Sequence, residues 1–168
     1  ALGRILAEDI IAKINNPPMD NSAMDGYAVI AADIQSATPD NPVKLEVVDN
    51  VPAGSVSTLT LKNNQTIRIM TGAPIPQGAD AVLMQEDTDK NGTGILAKDR
   101  ADVGENIRLA GEDVKVGDVV IQKGVTITPS QIGMMAVVGR SNIYVSQRPT
   151  VAILSTGDEI IELDGNPT

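Results

Sequence analysis

The chain has no cysteine, histidine, phenylalanine or tryptophan, and only two tyrosines. Without cysteine it can form no disulfide, thiolate nucleophile or sulfur-ligated zinc site, and without histidine it has no imidazole base and no nitrogen ligand for a metal. A metal held by this chain must therefore be bound through oxygen, which suits magnesium or calcium. Acid, base and nucleophile roles fall to Asp, Glu, Lys, Arg, Ser, Thr, Tyr and backbone amides. The scarcity of aromatic rings leaves almost nothing for nucleobases to stack on. A net charge of -9 also opposes nucleic acid, which binds clustered Lys and Arg. An anionic ligand needs a local exception to that charge, and Arg68 and Arg108 are candidates. No apolar run is long enough to cross a bilayer, so no membrane partner is expected. The opening ALGRILAED lacks the basic start, apolar stretch and cleavage site of a secretory signal, so a cytoplasmic location is expected.

What is present suits a folded protein: 168 residues, 42% hydrophobic and 21% charged, are enough for one or two cores. Polar groups gather in four stretches. These are DNSAMDGYAV from Asp20, IMTGAPIPQGADAV from Ile69, ENIRLAGEDV from Glu105 and AILSTGDE from Ala152. Each sets a hydroxyl or carboxylate beside glycine at the edge of an apolar run, in the composition of a loop entering or leaving a strand.

Taken in order, Leu2, Ile5 and Leu6 suggest a short opening helix that Ile10 to Ile14 could extend, ended by Asn15, Asn16, Pro17 and Pro18. Strands are expected at Tyr27 to Asp33, Val43 to Val48, Val56 to Leu61, Thr66 to Met70, Ala81 to Gln85 and Gly94 to Ala97, with a hairpin signal at Asn91-Gly92. Together they describe a β-rich unit from Asp20 to Ala101. Thr128-Pro129-Ser130-Gln131 has the form of a capped helix start, which predicts a helix from Pro129 to Val138 with Ile132, Met135 and Ala136 on its buried face. Strands follow at Asn142 to Ser146 and Thr150 to Leu154. The second reads as the first strand of a parallel α/β sheet, with Ser155 to Glu159 at its ligand-binding end. The chain ends at Thr168, too soon to build that sheet, so a fragment is expected.

Each motif alone also reads as a plain turn, and Glu86, Asp87, Asp89, Asp99 and Asp102 read as a solvated face. In combination they say more. DNSAMDGYA, RIMTGAPIPQGADAVLMQE, GENIRLAGED and AILSTGDE, in this order and spacing, resemble the molybdopterin molybdenumtransferase family, known as MoeA in bacteria and as the gephyrin E domain in animals. The likeness runs from Leu2 to about Glu159.

That resemblance implies an α+β architecture: a segmented α/β first domain (1–19 plus 102–147), an inserted β-rich second domain (20–101), and the start of a truncated molybdopterin-binding α/β domain (148–168). It implies a homodimer that inserts molybdate into adenylylated molybdopterin with release of AMP and with magnesium present. An upstream adenylylating protein of the same pathway is a possible partner. Carried over by motif position, Asp25, Thr71, Asp113 and Glu159 are the implied catalytic residues. Ser22, Gly72, Arg108, Ser155, Thr156 and Gly157 are implied to bind substrate, and Asp113 and Asp158 to hold the metal. The segment alone is expected to be inactive. The alternative reading is a non-catalytic, gephyrin-like dimeric scaffold.

Overall fold

The computed structural model describes residues 1–166, and its centre is a sheet whose strands bury alternate residues on opposite faces. The strands of the chain are β1 (Ile10–Ile11), β2 (Asn21–Ser22), β3 (Gly26–Val29), β4 (Val43–Val51), β5 (Gln65–Ile69), β6 (Ala81–Met84), β7 (Thr88–Asn91), β8 (Gly94–Ala97), β9 (Ile107–Arg108) and β10 (Val119–Ile121). The helices are α1 (Ala31–Ile34) and α2 (Pro129–Val137), with a single 3-10 turn at Gln85–Asp87. The fold is α+β and dominated by strands.

Six strands form the main sheet in the order β6-β3-β5-β4-β8-β7. All neighbours are antiparallel except β4 and β5, which run parallel. Because successive side chains in a strand point to opposite faces, Tyr27, Val29, Leu45, Leu83 and Ile95 build a core with Ile34 of α1 on one side. Ala28, Ile67, Ile69, Val51 and Val82 build another on the opposite side. With both faces covered, β3 is wholly buried, which fixes its register. A third core joins distant parts of the sequence: Leu6, Ile10 and Ala12 pack with Val114, Ile121, Ile127, Met135 and Val138.

The opening segment is extended where a helix was expected. It exchanges backbone hydrogen bonds with residues 124–127 and 144–146, and β1 pairs with β10. Leu6, Ile10 and Ala12 are buried while Ile5 and Ile11 stay largely exposed, so the governing period is two. The isoleucines, stiff at χ1, favour that choice.

Four other differences have local causes. The strand expected from Tyr27 ends at Val29, and the next residues turn into α1, where Asp80 Oδ1 accepts the Ala31 amide at 2.6 Å. Residues 56–61 form no strand. Ser57 instead donates to Asp49 at 2.6 Å and accepts the Leu59 amide, a side-chain alternative to a ladder. Helix α2 is capped as expected, with the Thr128 amide bonded to the Gln131 side chain at 3.1 Å. It buries Met135 and Val138 while Ile132 and Ala136 lie exposed. Finally, the segment expected to start a further domain has no strand among its described residues. Val151, Ile153 and Leu154 are exposed, since an apolar run becomes a strand only beside a partner strand, and residues 167–168 lie outside the described ones.

Candidate functional site

Three of the four polar stretches meet at one end of the main sheet. Strand β2 pairs with β9, setting Asn21 against Arg108 and Ser22 against Ile107. On its other side Ser22 exchanges backbone hydrogen bonds with the turn after β5: its amide donates to Ala73 O at 3.0 Å, and its carbonyl accepts the Gly72 amide at 2.8 Å. Asp20 ties down both flanks, its Oδ1 accepting the Ala110 amide at 2.8 Å and its carbonyl the Ile75 amide at 3.1 Å.

At this junction the Asp25 carboxylate meets Thr71. Its Oδ1 accepts the Thr71 amide at 2.8 Å and the Thr71 hydroxyl at 2.7 Å. Both residues are exposed. The amide hydrogen bond, then the hydroxyl, with a smaller contribution from the charge of Arg68, hold the Asp25 carboxyl below its ordinary value. It is therefore a fixed, ionised, accessible carboxylate.

The glycines beside them serve different ends. Gly26 lies buried in β3, where a Cβ would come within 2.1 Å of the Leu83 carbonyl oxygen of β6. Gly72 has open space around it but a φ of +80°, in the turn closed by the Ala73 amide on Met70 O at 2.9 Å. A left-handed residue at this position aims the preceding Thr71 back toward Asp25.

Ser22 is fully buried, and its hydroxyl donates to Met24 O at 2.6 Å and accepts the Met24 amide at 3.2 Å. It is engaged in shaping the loop that ends at Asp25.

Arg108 and Asp113 also have partners. Arg108 Nε donates to Glu112 at 2.6 Å, and its Nη2 donates to Asp113 Oδ2 at 2.8 Å, the same oxygen that accepts Asn16 Nδ2 at 3.2 Å. Glu112 pulls the guanidinium pKa up, with Asp113 adding to it, and the Glu112 carboxyl is held below its ordinary value chiefly by Arg108. Arg108 thus stands between two carboxylates, which offset its charge. Glu112 and Asn16 complete this cluster. The sequence offered a hint of the first, since Glu112 stands four residues beyond Arg108, and none of the second.

The fourth stretch stands apart. Ser155, Thr156, Gly157, Asp158 and Glu159 are exposed, with a local turn from the Ile160 amide to Gly157 O at 3.1 Å. No group of three or more Asp or Glu side chains suited to a metal ion occurs among the described residues. With Asp113 Oδ2 held by two donors, the set of Asp113 and Asp158 does not fit the magnesium that the resemblance implies. No helix of the described residues is long and apolar enough to cross a membrane.

Known proteins resemble this chain in sequence and in fold. The family described as "MoeA N-terminal region (domain I and II)" matches residues 1–139. A molybdopterin molybdenumtransferase of Staphylococcus epidermidis is 44% identical over 98% of this chain and 39% of its own length. The molybdopterin molybdenumtransferase 2 of Mycobacterium tuberculosis is 43% identical over 95% of this chain and 40% of its own. A crystal structure of a molybdopterin biosynthesis moeA protein from Pyrococcus horikoshii superposes with a TM-score of 0.88 at 36% identity, covering 99% of this chain and 43% of that one. The chain thus spans about 40% of the length of these relatives. By sequence and by fold, the chain belongs to the MoeA N-terminal region family.

Proposed function

We propose that this chain is the N-terminal part of a molybdopterin molybdenumtransferase, acting in the cytoplasm in molybdenum cofactor biosynthesis. The whole enzyme inserts molybdate into adenylylated molybdopterin and releases AMP. The family match and the names of the relatives support the reaction. The observation that carries the assignment to this segment is the Asp25 carboxylate locked on Thr71 at an exposed end of the sheet.

Its chemistry follows from that contact. Oδ1 is occupied by the two Thr71 donors, so the carboxylate cannot rotate freely, and Oδ2, which shares the delocalised negative charge, is left for whatever docks there. Such a group orients a water and accepts its proton as the water oxygen bonds to the adenylyl phosphorus and the phosphoanhydride P–O bond breaks, releasing AMP and leaving the phosphate on molybdopterin. Ser22 positions the loop, and Gly72 positions Thr71.

The remainder of the site comes from elsewhere in the whole protein. We assign residues 1–19 with 102–147 to a segmented first domain, 20–101 to an inserted β-rich domain and 148–168 to the start of the molybdopterin-binding domain. One core that draws on residues 6–12 and 114–138 supports this division, as do the two cores on the main sheet. Ser155 to Glu159 would join the pterin pocket once that domain is complete. A homodimer lets the later domain of one subunit meet Asp25 of the other, and magnesium is left to residues outside this segment. An upstream adenylylating protein supplies the activated substrate.

The test is AMP release when molybdate is added to a full-length enzyme carrying this segment and loaded with adenylylated molybdopterin. Molybdate-dependent release is expected, and its absence sinks the reading in favour of the scaffold.

A further inference from the structure

A site that brings two oxyanionic substrates together on an acidic protein needs a local cation, and Arg108 is committed to Glu112 and Asp113. The other ion pairs among the described residues are Lys98 with Asp89 and Arg140 with Glu8. Arg68 takes part in none of them. It is half-buried in β5 and stands opposite Tyr27 of β3.

The register places it beside Asp25. Gly26 pairs with Ile69 and Tyr27 with Arg68, and on the β6 side the backbone bonding of β3 continues one residue further, where Asp25 O accepts the Gln85 amide at 3.1 Å. Side chains two apart in a strand share a face, so the register extended by one residue sets Asp25 diagonal to Arg68, a spacing of roughly 7–8 Å in a regular ladder and within reach of a long side chain. The Arg68 charge is felt at the Asp25 carboxyl. The two do not close into an ion pair, so the guanidinium keeps its paired donors for a ligand, and its planar fork suits a tetrahedral oxyanion.

We propose that Arg68 holds a tetrahedral oxyanion next to Asp25 and Thr71, either molybdate or a phosphoryl group of the adenylylated substrate. This assignment rests on the enzymatic reading above. It also removes a difficulty of that reading, since an ionised Asp25 alone repels both substrates.

The experiment titrates sodium molybdate and, separately, inorganic phosphate into the 168-residue chain, following the Thr71 and Gly72 amide signals by NMR. Arg68→Gln, Arg68→Lys and Glu112→Gln are treated alike. Saturable shifts are expected in the unaltered chain, with affinity falling roughly tenfold or more in Arg68→Gln, as for loss of a charged hydrogen bond. Arg68→Lys should retain part of the affinity, showing that charge is involved, and Glu112→Gln should leave it unchanged. Tighter binding of molybdate or of phosphate tells which group Arg68 receives, and either supports the proposal. Equal affinity in Arg68→Gln, absence of saturable shifts in the unaltered chain, or tighter binding in Glu112→Gln, which would make Arg108 the receptor, overturns it. AMP release by the full-length enzyme separates the two claims: release without Arg68-dependent binding overturns this assignment alone, and Arg68-dependent binding without release overturns the reaction alone.

Discussion

Asp25 Oδ1 accepts both the amide and the hydroxyl of Thr71, at 2.8 and 2.7 Å, across a sequence separation of 46 residues. The contact links the loop before β3 to the turn after β5, so neither segment can move without the other. Two donors on one oxygen fix the plane of the carboxylate and keep it ionised.

Thr71→Val removes the hydroxyl and keeps the amide, so the Asp25 titration should move up toward its ordinary value near 3.8. The sign for stability follows. A carboxyl held low in the folded state adds stability that is present above its unfolded value and lost as the pH falls through its folded one. Acid unfolding below about pH 3.8 should therefore be less steep in the variant. Carbon-13 NMR of the Asp25 carboxyl checks this, and an unmoved midpoint would show that the amide alone sets it.

Gly26→Ala and Gly72→Ala should differ in kind. The first drives a Cβ to 2.1 Å from the Leu83 backbone oxygen of the edge strand β6, so the β3–β6 pairing must open to admit it. A loss of about 3 kcal/mol or more is expected, at the upper end for overpacking. The second meets no atom but forces alanine to a φ of +80°, which costs about 1–2 kcal/mol. Urea unfolding of the two variants measures the contrast, and equal losses would contradict it.

Arg108→Gln leaves Glu112 and Asp113 without their shared cation. The Glu112 titration should rise toward its ordinary value near 4.5, and the stability that the lowered value gives above that pH should shrink. Because the cluster is exposed, the effect should be larger at low salt than at high salt. Thermal melts at pH 7 in two salt concentrations test this, and a salt-independent difference would point to lost packing in place of charge.

Much of this fold could be read in the sequence wherever one period dominated. Leu45 and its alternating neighbours announced β4, and Thr128 with Pro129 and Gln131 announced α2. The opening segment misled because Leu2, Ile5 and Leu6 fit a helical face, while the pairing that decides its form comes from residues more than a hundred positions away. Ile132 and Ala136 fit the helical period too, yet the core reaches only Met135 and Val138. For the site, the family resemblance carried by the four motifs in order singled out Asp25 and Thr71, but no local pattern says that they touch. The same limit explains Arg108. Its charge was visible, and its capture by Asp113 as well as Glu112 was not, since that depends on how the chain turns at Gly111, where φ is +73°. Residues 155–159 had the clearest loop motif and the least structure, because their expected setting is a sheet that these residues do not build.

The most direct test of the account compares Asp25→Ala with the unaltered full-length enzyme, each loaded with adenylylated molybdopterin, and follows AMP released on addition of molybdate. A fall of roughly a hundredfold or more is expected, the scale of a lost proton-transfer group, with only a modest drop in melting temperature, because Asp25 is exposed and water can replace it on the two Thr71 donors. Turnover close to normal in Asp25→Ala would contradict it.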